Sequence, residues 1–348
     1  MTTLPLQDLQ HISEKARDAL SLLRGKSLFI TGGTGLFGIW LLESILYANQ
    51  YHDADISAVI LTRDPVKFFK TAPHFQEATC FTFITGDVTS FVFPKETFSY
   101  VIHAATEASD QLNKENPLLM FDTITKGTRR VLEFAKESNV SGFLFTSSGA
   151  VYGKQPSDLQ HVSETYLNAP DPLIATSAYG IGKLAAEHTS VLFHKQFGLP
   201  IKIARCFAFV GPYLPLHTHF AIGNFIAQVL KNGPIHILGD GTPFRSYLYM
   251  ADLTAWLWHI LCYGTPGQAY NVGSDEAISI EALARLVATQ AATALPIHIA
   301  KKKEAAIPPE RYVPSTAKAQ RDLGLAQWIA LPDAISRTIS WNRSHAKT

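Results

Sequence analysis

The sequence Thr31-Gly32-Gly33-Thr34-Gly35-Leu36-Phe37-Gly38 directly follows an apolar stretch and precedes a stretch with helical character. Its glycines 32, 35 and 38 have the spacing in which the first allows a tight turn and the second lets a pyrophosphate approach the backbone. The third lets the helix pack closely on the strand. The helix N-terminus then presents N–H groups and a favourable dipole to phosphates. A glycine trio alone also fits a structural turn, but the flanking strand and helix favour a dinucleotide site. The residues assigned to it are Gly32, Thr34, Gly35, Leu36 and Phe37.

The segment from residue 26 to residue 212 repeats an order of apolar strand, loop and helix. Continuous apolar strands followed by helices are typical of a parallel sheet that is covered on both faces. The predicted fold is therefore α/β, a Rossmann-type doubly wound sheet that binds NAD or NADP. The predicted strands are Ser27–Thr31, Ser57–Thr62, Thr79–Ile84, Tyr100–Ala104, Gly142–Ser147 and Ile201–Arg205, with helices at Leu36–Tyr47, 117–138 and 178–197.

Two further regions flank this segment. Residues 213–348 are richer in Pro and Gly and mix short strands with helices, which predicts a smaller α+β region that binds substrate. One or two segments of it are expected to cross back to the Rossmann core. Residues 1–25 are expected to form a helical extension, with an amphipathic helix at 6–23 whose apolar side begins at Leu6.

Composition excludes several classes of function. The formal charge of +1 gives no reason to expect nucleic acid as a partner. Three scattered cysteines have no metal-ligand spacing and fit a reducing compartment, so no metal is predicted and the expected location is the cytoplasm. We expect no membrane association, because charge, Gly or Pro interrupts every long apolar stretch.

The end of the second predicted strand bears on the choice of cofactor. An acidic residue is usual there for the adenosine ribose, but this chain has Thr62 and then Arg63. Arg63 could pair with a 2′-phosphate, which leaves NADP open beside NAD, whereas Asp64 keeps NAD possible or is a solvated loop residue. Asp87 and Val88 are placed to meet the adenine, although a simple turn aspartate fits equally well. The predicted cofactor site also includes Ala104, Ala105 and Thr106, which end the fourth strand and follow it, together with Tyr179 and Lys183.

Tyr179 and Lys183 are four residues apart, so a helix would place both on one face. A cation beside a phenol favours the phenolate, which predicts a lowered pKa of Tyr179 and a role as general base or acid. Ser148 ends an apolar strand, where ligands bind in parallel sheets. It could share a hydrogen bond with the hydroxyl that Tyr179 deprotonates, although a helix cap is the simpler explanation for one serine.

Together, the glycine turn, Ser148 before Val151-Tyr152-Gly153, and Tyr179 with Lys183 resemble the extended short-chain dehydrogenase/reductase family, in its sugar-nucleotide epimerase/dehydratase branch. The resemblance runs from about residue 26 to about residue 330. It implies NAD as cofactor, a nucleoside-diphosphate sugar as substrate, and a homodimer formed through the helices near 117–138 and 178–197. It also implies that Asn224, Arg245 and Arg311 contact the substrate diphosphate.

The family's reactions begin alike with oxidation of a sugar hydroxyl, and their later steps differ. The resemblance implies an Asp-Glu pair after Ser148 in the 4,6-dehydratases and usually a Glu at position 150 in the decarboxylases, but this chain has Gly149 and Ala150. C4 epimerisation is therefore expected. A dehydratase or decarboxylase with relocated groups such as Glu107, an NADPH-dependent keto-sugar reductase, and a non-enzymatic scaffold are the alternatives. His103 has a usual pKa near neutrality, but the resemblance implies no proton transfer there.

Overall fold

The computed structural model describes residues 4–106, 110–218, 220–291, 295–303 and 308–345. The chain divides into two units. The first unit comprises the residues up to Gly153, Leu167–Cys206 and Thr254–Tyr270, and the second comprises Lys154–Tyr166, Phe207–Leu253 and the residues from Asn271 onward. The division at residues 25 and 212 that the sequence suggests is a simpler partition of the chain and stays a prediction.

The strands are short, and most of those predicted occur within two residues of their predicted bounds. In chain order they are β1 (Ser27–Thr31), β2 (Ser57–Thr62), β3 (Phe81–Thr85), β4 (Tyr100–His103), β5 (Gly142–Ser148), β6 (Ile201–Cys206), β7 (Phe209–Val210), β8 (Ile235–Ile237), β9 (Phe244–Arg245), β10 (Leu248–Tyr249), β11 (Ala269–Val272), β12 (Ile278–Ser279), β13 (Ile297–Ile299) and β14 (Arg311–Tyr312).

The helices belong to both units, and those of the first unit alternate with its strands. In chain order they are α1 (Leu6–Lys15), α2 (Arg17–Leu22), α3 (Leu36–His52), α4 (Pro65–Thr71), α5 (Asp110–Glu115), α6 (Pro117–Glu137), α7 (Ala178–Phe197), α8 (Ala221–Leu230), α9 (Met250–Tyr263), α10 (Ile280–Gln290), α11 (Ala317–Leu323) and α12 (Leu331–His345).

The main sheet has the strand order β11-β6-β5-β4-β1-β2-β3. The pairings from β3 through β6 are parallel, as the apolar runs predict. The chain order reverses between β1 and β4, and a reversal of this kind opens a crevice at the carboxyl ends of the strands. The predicted doubly wound fold is therefore confirmed, and the glycine turn after β1 lies at the switch point.

A cluster of aromatic rings supports the strand that leads into this turn. Phe29 of β1 is fully buried, and its ring centroid lies 4.5 Å from that of Phe134 on α6. The ring centroids of Phe91 and Phe98 lie 5.5 and 5.6 Å from that of Phe29. Tilted and edge-on aromatic pairs add to the stabilisation that burial already provides. The packing fixes β1 against α6 and therefore fixes where the turn begins.

The N-terminal segment differs from its prediction as a single helix. The helix is interrupted at Ala16, whose φ of -101° and ψ of 15° leave the helical range and separate α1 from α2. Leu9, Ile12 and Leu20 are buried as expected, whereas Leu6 is 54% exposed. Among the described residues, no helix is long and apolar enough to cross a membrane.

Candidate active site

The turn after β1 admits only glycine at its first position. Gly32 has a φ of +74°, and a Cβ atom there would lie 2.4 Å from the carbonyl carbon of Ala104. The Gly35 N–H closes the turn by donating to the Gly32 carbonyl over 3.0 Å. The turn runs directly beside the end of β4, and a side chain at position 32 would therefore collide with the backbone there.

Gly38 serves the close packing that its spacing predicts. A Cβ atom on Gly38 would lie 2.3 Å from backbone atoms of Gly33, so α3 rests directly on the turn. No side chain caps α3 at Gly35, and its first turn at Leu36 and Phe37 presents backbone N–H groups at the positive end of the helix dipole. This geometry fits a pyrophosphate, because no side-chain cap engages these N–H groups and the glycines add no side chain to the turn.

The residues after β2 divide between two roles. The Thr62 hydroxyl lies 3.3 Å from that of Thr34, so Thr62 borders the glycine turn. Asp64 instead caps α4, accepting a hydrogen bond from the Lys67 N–H over 2.8 Å. Capping engages the Asp64 carboxylate locally, which favours the loop explanation over ribose binding. Arg63 is exposed between them.

Asp87 and Val88 follow β3 and behave differently. Hydrogen bonds from the Thr89 N–H and hydroxyl lower the pKa of Asp87, and the Arg63 guanidinium lowers it further. Arg63 and Asp87 are therefore within electrostatic reach of each other at the predicted adenosine end. Val88 is buried against α6, where a Cβ on Gly127 would lie 2.8 Å from its side chain.

The residues after β4 connect the glycine turn to the catalytic helix. The Ala104 and Ala105 N–H groups donate to the carbonyl and the hydroxyl of Thr31, over 3.0 and 3.2 Å. Thr106 donates its hydroxyl hydrogen to the Ala105 carbonyl. Glu107, predicted as an alternative acid–base group, lies outside the described residues.

Lys183 is buried, with only 2% of its surface exposed. Its ammonium donates to the Thr106 hydroxyl over 2.9 Å and to the Thr146 carbonyl over 2.7 Å. The same nitrogen lies 4.9 Å from the centre of the Phe145 ring. Burial lowers the pKa of Lys183 to about 8, against opposing effects of Cys206 and Glu187. The structure thus places a buried ammonium between the ends of β4 and β5.

Tyr179 is held close to the turn that follows Ser148. Residues Gly149–Tyr152 form a single 3-10 turn, and a Cβ atom on Gly180 would lie 2.9 Å from the Ala150 carbonyl oxygen. The Ser148 hydroxyl accepts a hydrogen bond from the Ala150 N–H and also interacts with the Tyr179 phenol. Tyr179 and Lys183 share one face of α7, so Ser148, Tyr179 and Lys183 form one cluster.

The pKa of Tyr179 departs from the prediction made from spacing. Burial raises it to about 12, while interaction with the Ser148 hydroxyl opposes this shift. The predicted lowering is wrong for the polypeptide alone, because removing a phenolate from water costs more than its neighbours return. The Lys183 ammonium is engaged by Thr106 and Thr146 rather than by Tyr179.

His103 has a structural place in the sheet. Its ring nitrogens share hydrogen bonds with the Thr31 and Thr128 hydroxyls, at 2.7 and 3.0 Å, and its ring stacks on Phe145. Burial lowers the pKa of His103 to about 3, with a smaller effect of Lys183. A neutral imidazole with both nitrogens engaged is poorly suited to proton transfer, which agrees with the sequence-based expectation.

Asn113 is a residue that sequence reasoning missed. Its side-chain oxygen accepts from the Tyr179 N–H over 3.2 Å, and its amide donates to the Thr176 carbonyl over 2.7 Å. It therefore caps the first turn of α7 from α5, since Ser177 at the N-cap makes no side-chain hydrogen bond. The contact spans 66 residues, so no local spacing could have revealed it.

In the second unit the two predicted substrate arginines lie on adjacent strands. Arg311 of β14 pairs with Phe244 of β9, next to Arg245, and its guanidinium lies 4.4 Å from the centre of the Phe244 ring. Arg245 lies 3.8 Å from Glu310. The β9–β14 pair therefore brings the two arginines into one small sheet, with Arg311 on the face of Phe244 and Arg245 one residue further along the same strand as Phe244.

Asn224 lies on α8, and its amide donates to the Thr218 carbonyl over 2.9 Å. Within the described residues no group of three or more His, Cys, Asp or Glu side chains could hold a metal ion.

A glycine turn at the switch point of the sheet and a Tyr–Lys pair on α7 are typical of nicotinamide-dependent Rossmann enzymes. The model of the NAD dependent epimerase/dehydratase family matches residues 28–273. The chain belongs to this family, whose members are NAD-dependent enzymes that modify sugar nucleotides as epimerases, dehydratases or decarboxylases.

Individual relatives are distant. UDP-glucuronic acid decarboxylase 1 of Arabidopsis thaliana is 27% identical over 314 residues, which cover 90% of this chain and 69% of that protein. UDP-glucuronic acid decarboxylase 6 of the same plant is 29% identical over 262 residues, 75% of this chain and 73% of that protein. The UDP-glucose 4-epimerase of Thermotoga maritima is similar in structure, with a TM-score of 0.79 at 20% identity over 92% of this chain and 99% of that chain. That likeness concerns the fold alone.

Proposed function

We propose that this chain interconverts the C4 epimers of a nucleoside-diphosphate sugar through a transient 4-keto sugar. One observation carries the proposal. Ser148, Tyr179 and Lys183 form one cluster, whereas the next two positions, Gly149 and Ala150, have no side chain that can transfer a proton. A site with one base and no second acid–base pair suits removal and return of hydrogen at a single carbon.

The residues present fit a dinucleotide. Gly32, Gly35 and the first turn of α3 would hold the pyrophosphate, and Thr62 and Asp87 border the predicted adenosine end. When bound, NAD supplies the hydride acceptor and donor and, in its oxidised form, a positive charge. Because Arg63 lies near Asp87, the carboxylate would repel a 2′-phosphate, so we propose NAD rather than NADP.

Tyr179 is the group that takes the proton from the C4 hydroxyl. With a pKa of about 12, only about one Tyr179 in 10⁵ would be ionised at pH 7 in the polypeptide alone. The phenol of Tyr179 must therefore lose its own proton when positive charge is present in the site. The buried Lys183 ammonium provides the part of that charge that belongs to the protein, and oxidised NAD would add the rest. The Ser148 hydroxyl lies beside the phenol and can bridge it to the substrate oxygen.

Decarboxylation of a nucleoside-diphosphate uronic acid is the second candidate, because relatives that match this chain in sequence are named UDP-glucuronic acid decarboxylases. A 4-keto uronic acid carries its carboxylate β to the ketone and can lose carbon dioxide without proton transfer from position 150. The absence of an acid–base side chain at Ala150 is therefore compatible with this candidate. A neutral hexose substrate has no such leaving group and would give only the epimer.

The second unit would bind the diphosphate through Arg245 and Arg311, and Asn224 is proposed as a further contact. A homodimer through α6 and α7 is also proposed, since these helices pack on each other and Leu118 and Leu192 remain exposed on them.

The test incubates the purified protein and NAD with UDP-glucose, dTDP-glucose and UDP-glucuronic acid in separate reactions and follows product mass. Epimerisation gives a product of unchanged mass and a new retention time, with no net change in nicotinamide absorbance. A loss of 44 mass units from UDP-glucuronic acid would support decarboxylation instead, and a loss of 18 from a hexose would support dehydration. Stoichiometric consumption of added NADPH would identify a reductase.

A further inference from the structure

A buried polar network lies one helical turn beyond Lys183 and has no part in the proton and hydride transfers proposed for Tyr179 and NAD. Glu187 follows Lys183 by four residues, so Tyr179, Lys183 and Glu187 lie along one face of α7. Glu187 is 4% exposed. A buried carboxylate is costly unless a cation and hydrogen bonds compensate for its lost hydration.

Arg205 of β6 provides that compensation. Its Nε atom donates to the two carboxylate oxygens of Glu187 over 3.0 and 3.2 Å, and its Nη2 atom donates over 2.7 Å. The side chains are 15% and 6% exposed, so water screens the pair weakly. The forked contact fixes both the position and the orientation of the carboxylate.

The remaining arm of Arg205 reaches the turn after Ser148. Its Nη1 atom donates to the Tyr152 hydroxyl over 2.8 Å, and Tyr152 is the last residue of the 3-10 turn that Ser148 begins. Register within the sheet places Arg205 opposite Ser147, and Cys206 opposite Ser148. One guanidinium thus connects the catalytic helix, the strand β6 and the turn that carries Ser148.

We propose that Glu187, held by Arg205 and through it by Tyr152, is a positioning residue that balances the charge of Lys183 and ties α7 to the turn after Ser148. The predicted effect on turnover rests on the proposed function, whereas the effect on Lys183 itself does not.

The charge balance can be tested because few of the described groups around Lys183 titrate near neutrality. Burial lowers the pKa of His103 on β4 to about 3 and raises that of Cys206 on β6 to about 12. The pKa of Tyr179 on α7 is about 12. Lys183, with a pKa of about 8, is the member of this set that changes charge between pH 6 and pH 10. Glu187 raises that pKa, so its neutralisation should lower it.

The experiment compares Glu187→Gln with the wild type and with Glu133→Gln. Glu133 pairs with Arg129 on the surface of α6, so its variant removes a carboxylate of the same type outside the network. The ¹³Cε signal of Lys183, assigned by its loss in Lys183→Met, is titrated in protein without substrate. Glu187→Gln should lower the midpoint by about one pH unit, and Glu133→Gln should leave it unchanged. An unchanged midpoint in Glu187→Gln overturns the proposal.

Turnover supplies the second readout. The limb on which kcat falls with rising pH should move to lower pH in Glu187→Gln by the same amount as the Lys183 midpoint. Tyr152→Phe removes one hydroxyl and no charge, so it should lower kcat several-fold with this limb unmoved. If these variants lowered only the melting temperature and left both kcat and its pH dependence as in the wild type, the network would have a purely structural role and the proposal would be overturned.

Two precautions keep the test decisive. If Glu187→Gln does not fold, the double variant Glu187→Gln/Arg205→Gln removes both buried charges and is compared with Arg205→Gln, which keeps the carboxylate. The Lys183 midpoint should be lower in the double variant than in Arg205→Gln, and equal midpoints in the two overturn the proposal. If the wild type converts no sugar nucleotide, the proposed function fails, and the titration of Lys183 still decides this inference.

Discussion

The dinucleotide turn (residues 31–38) and the catalytic cluster (Ser148, Tyr179 and Lys183) occupy the same unit but are built from different contacts. The turn depends on backbone touching backbone, with no room for a Cβ at Gly32 or Gly38. The catalytic cluster depends on buried polar side chains, such as the Lys183 ammonium with its two oxygen partners. The turn therefore fails when an atom is added, and the cluster fails when a polar atom is removed.

The largest expected effect comes from removing one oxygen from the catalytic cluster. Tyr179→Phe should lower kcat about 10³-fold, because the base is lost while the helix and the turn remain. Binding of NAD, followed by fluorescence titration, should be unchanged. Tyr263→Phe is the matched control, since Tyr263 is 43% exposed at the end of α9. Full activity in Tyr179→Phe would contradict the assignment of the base.

Adding one carbon to the turn should have the next largest effect. Gly38→Ala places a Cβ 2.3 Å from backbone that cannot move aside, which should cost about 3 kcal/mol of unfolding free energy and weaken NAD binding. Gly233→Ala is the control, because its nearest neighbour would be 3.7 Å away. Denaturation in urea and NAD titration measure both effects. Equal stability of the two variants would mean that α3 does not rest on the turn.

A change of pH tests the residue that joins the two regions. His103 bonds to Thr31 at the turn, and its pKa is lowered to about 3 by burial. A lowered folded-state pKa means that the unfolded chain binds the proton more readily. Neutral His103 therefore stabilises the folded protein fully above about pH 6.5, and this contribution is lost as the pH falls toward 3. Between pH 7.5 and pH 5 the loss should be about 2 kcal/mol.

The slope of the unfolding free energy against pH identifies the group that causes this loss of stability. His103→Gln, which is less stable at every pH, should lose this part of the pH dependence, whereas the exposed His188→Gln should keep it. Urea denaturation at the two pH values gives the comparison. An identical slope in His103→Gln and the wild type would show that another group carries it.

The smallest expected effect is at the rim of the cofactor site. Arg63 is exposed, and its charge is shared with Asp87. Arg63→Ala should weaken NADP binding about tenfold relative to NAD, because loss of the guanidinium leaves the Asp87 carboxylate alone to repel a 2′-phosphate. Lys67→Ala on the neighbouring α4 removes an exposed cation as a control. Equal weakening of both cofactors would contradict a role in discrimination.

The same contrast explains how much could be predicted from the sequence. Backbone contacts leave a signature at fixed spacing, so the turn, β1 and β2 could be predicted from residues 27–62, and the apolar strands that follow predicted a parallel sheet. The Tyr179–Lys183 pair could be predicted because one helix carries both. Asn113 and Arg205 could not, because their contacts join segments distant in sequence. The sequence predicted the wrong direction for the shift in the Tyr179 pKa, because that shift depends on burial, which residue spacing does not report.

The most direct test of C4 chemistry uses UDP-glucose that carries deuterium at C4. The protein with unlabelled NAD should form the C4 epimer, and that product should retain the deuterium at C4, since the hydride leaves that carbon and returns to it. Tyr179→Phe should form this epimer about 10³-fold more slowly. An epimer without deuterium at C4, or a product that has lost 18 mass units, would contradict oxidation and return at this carbon as the whole reaction.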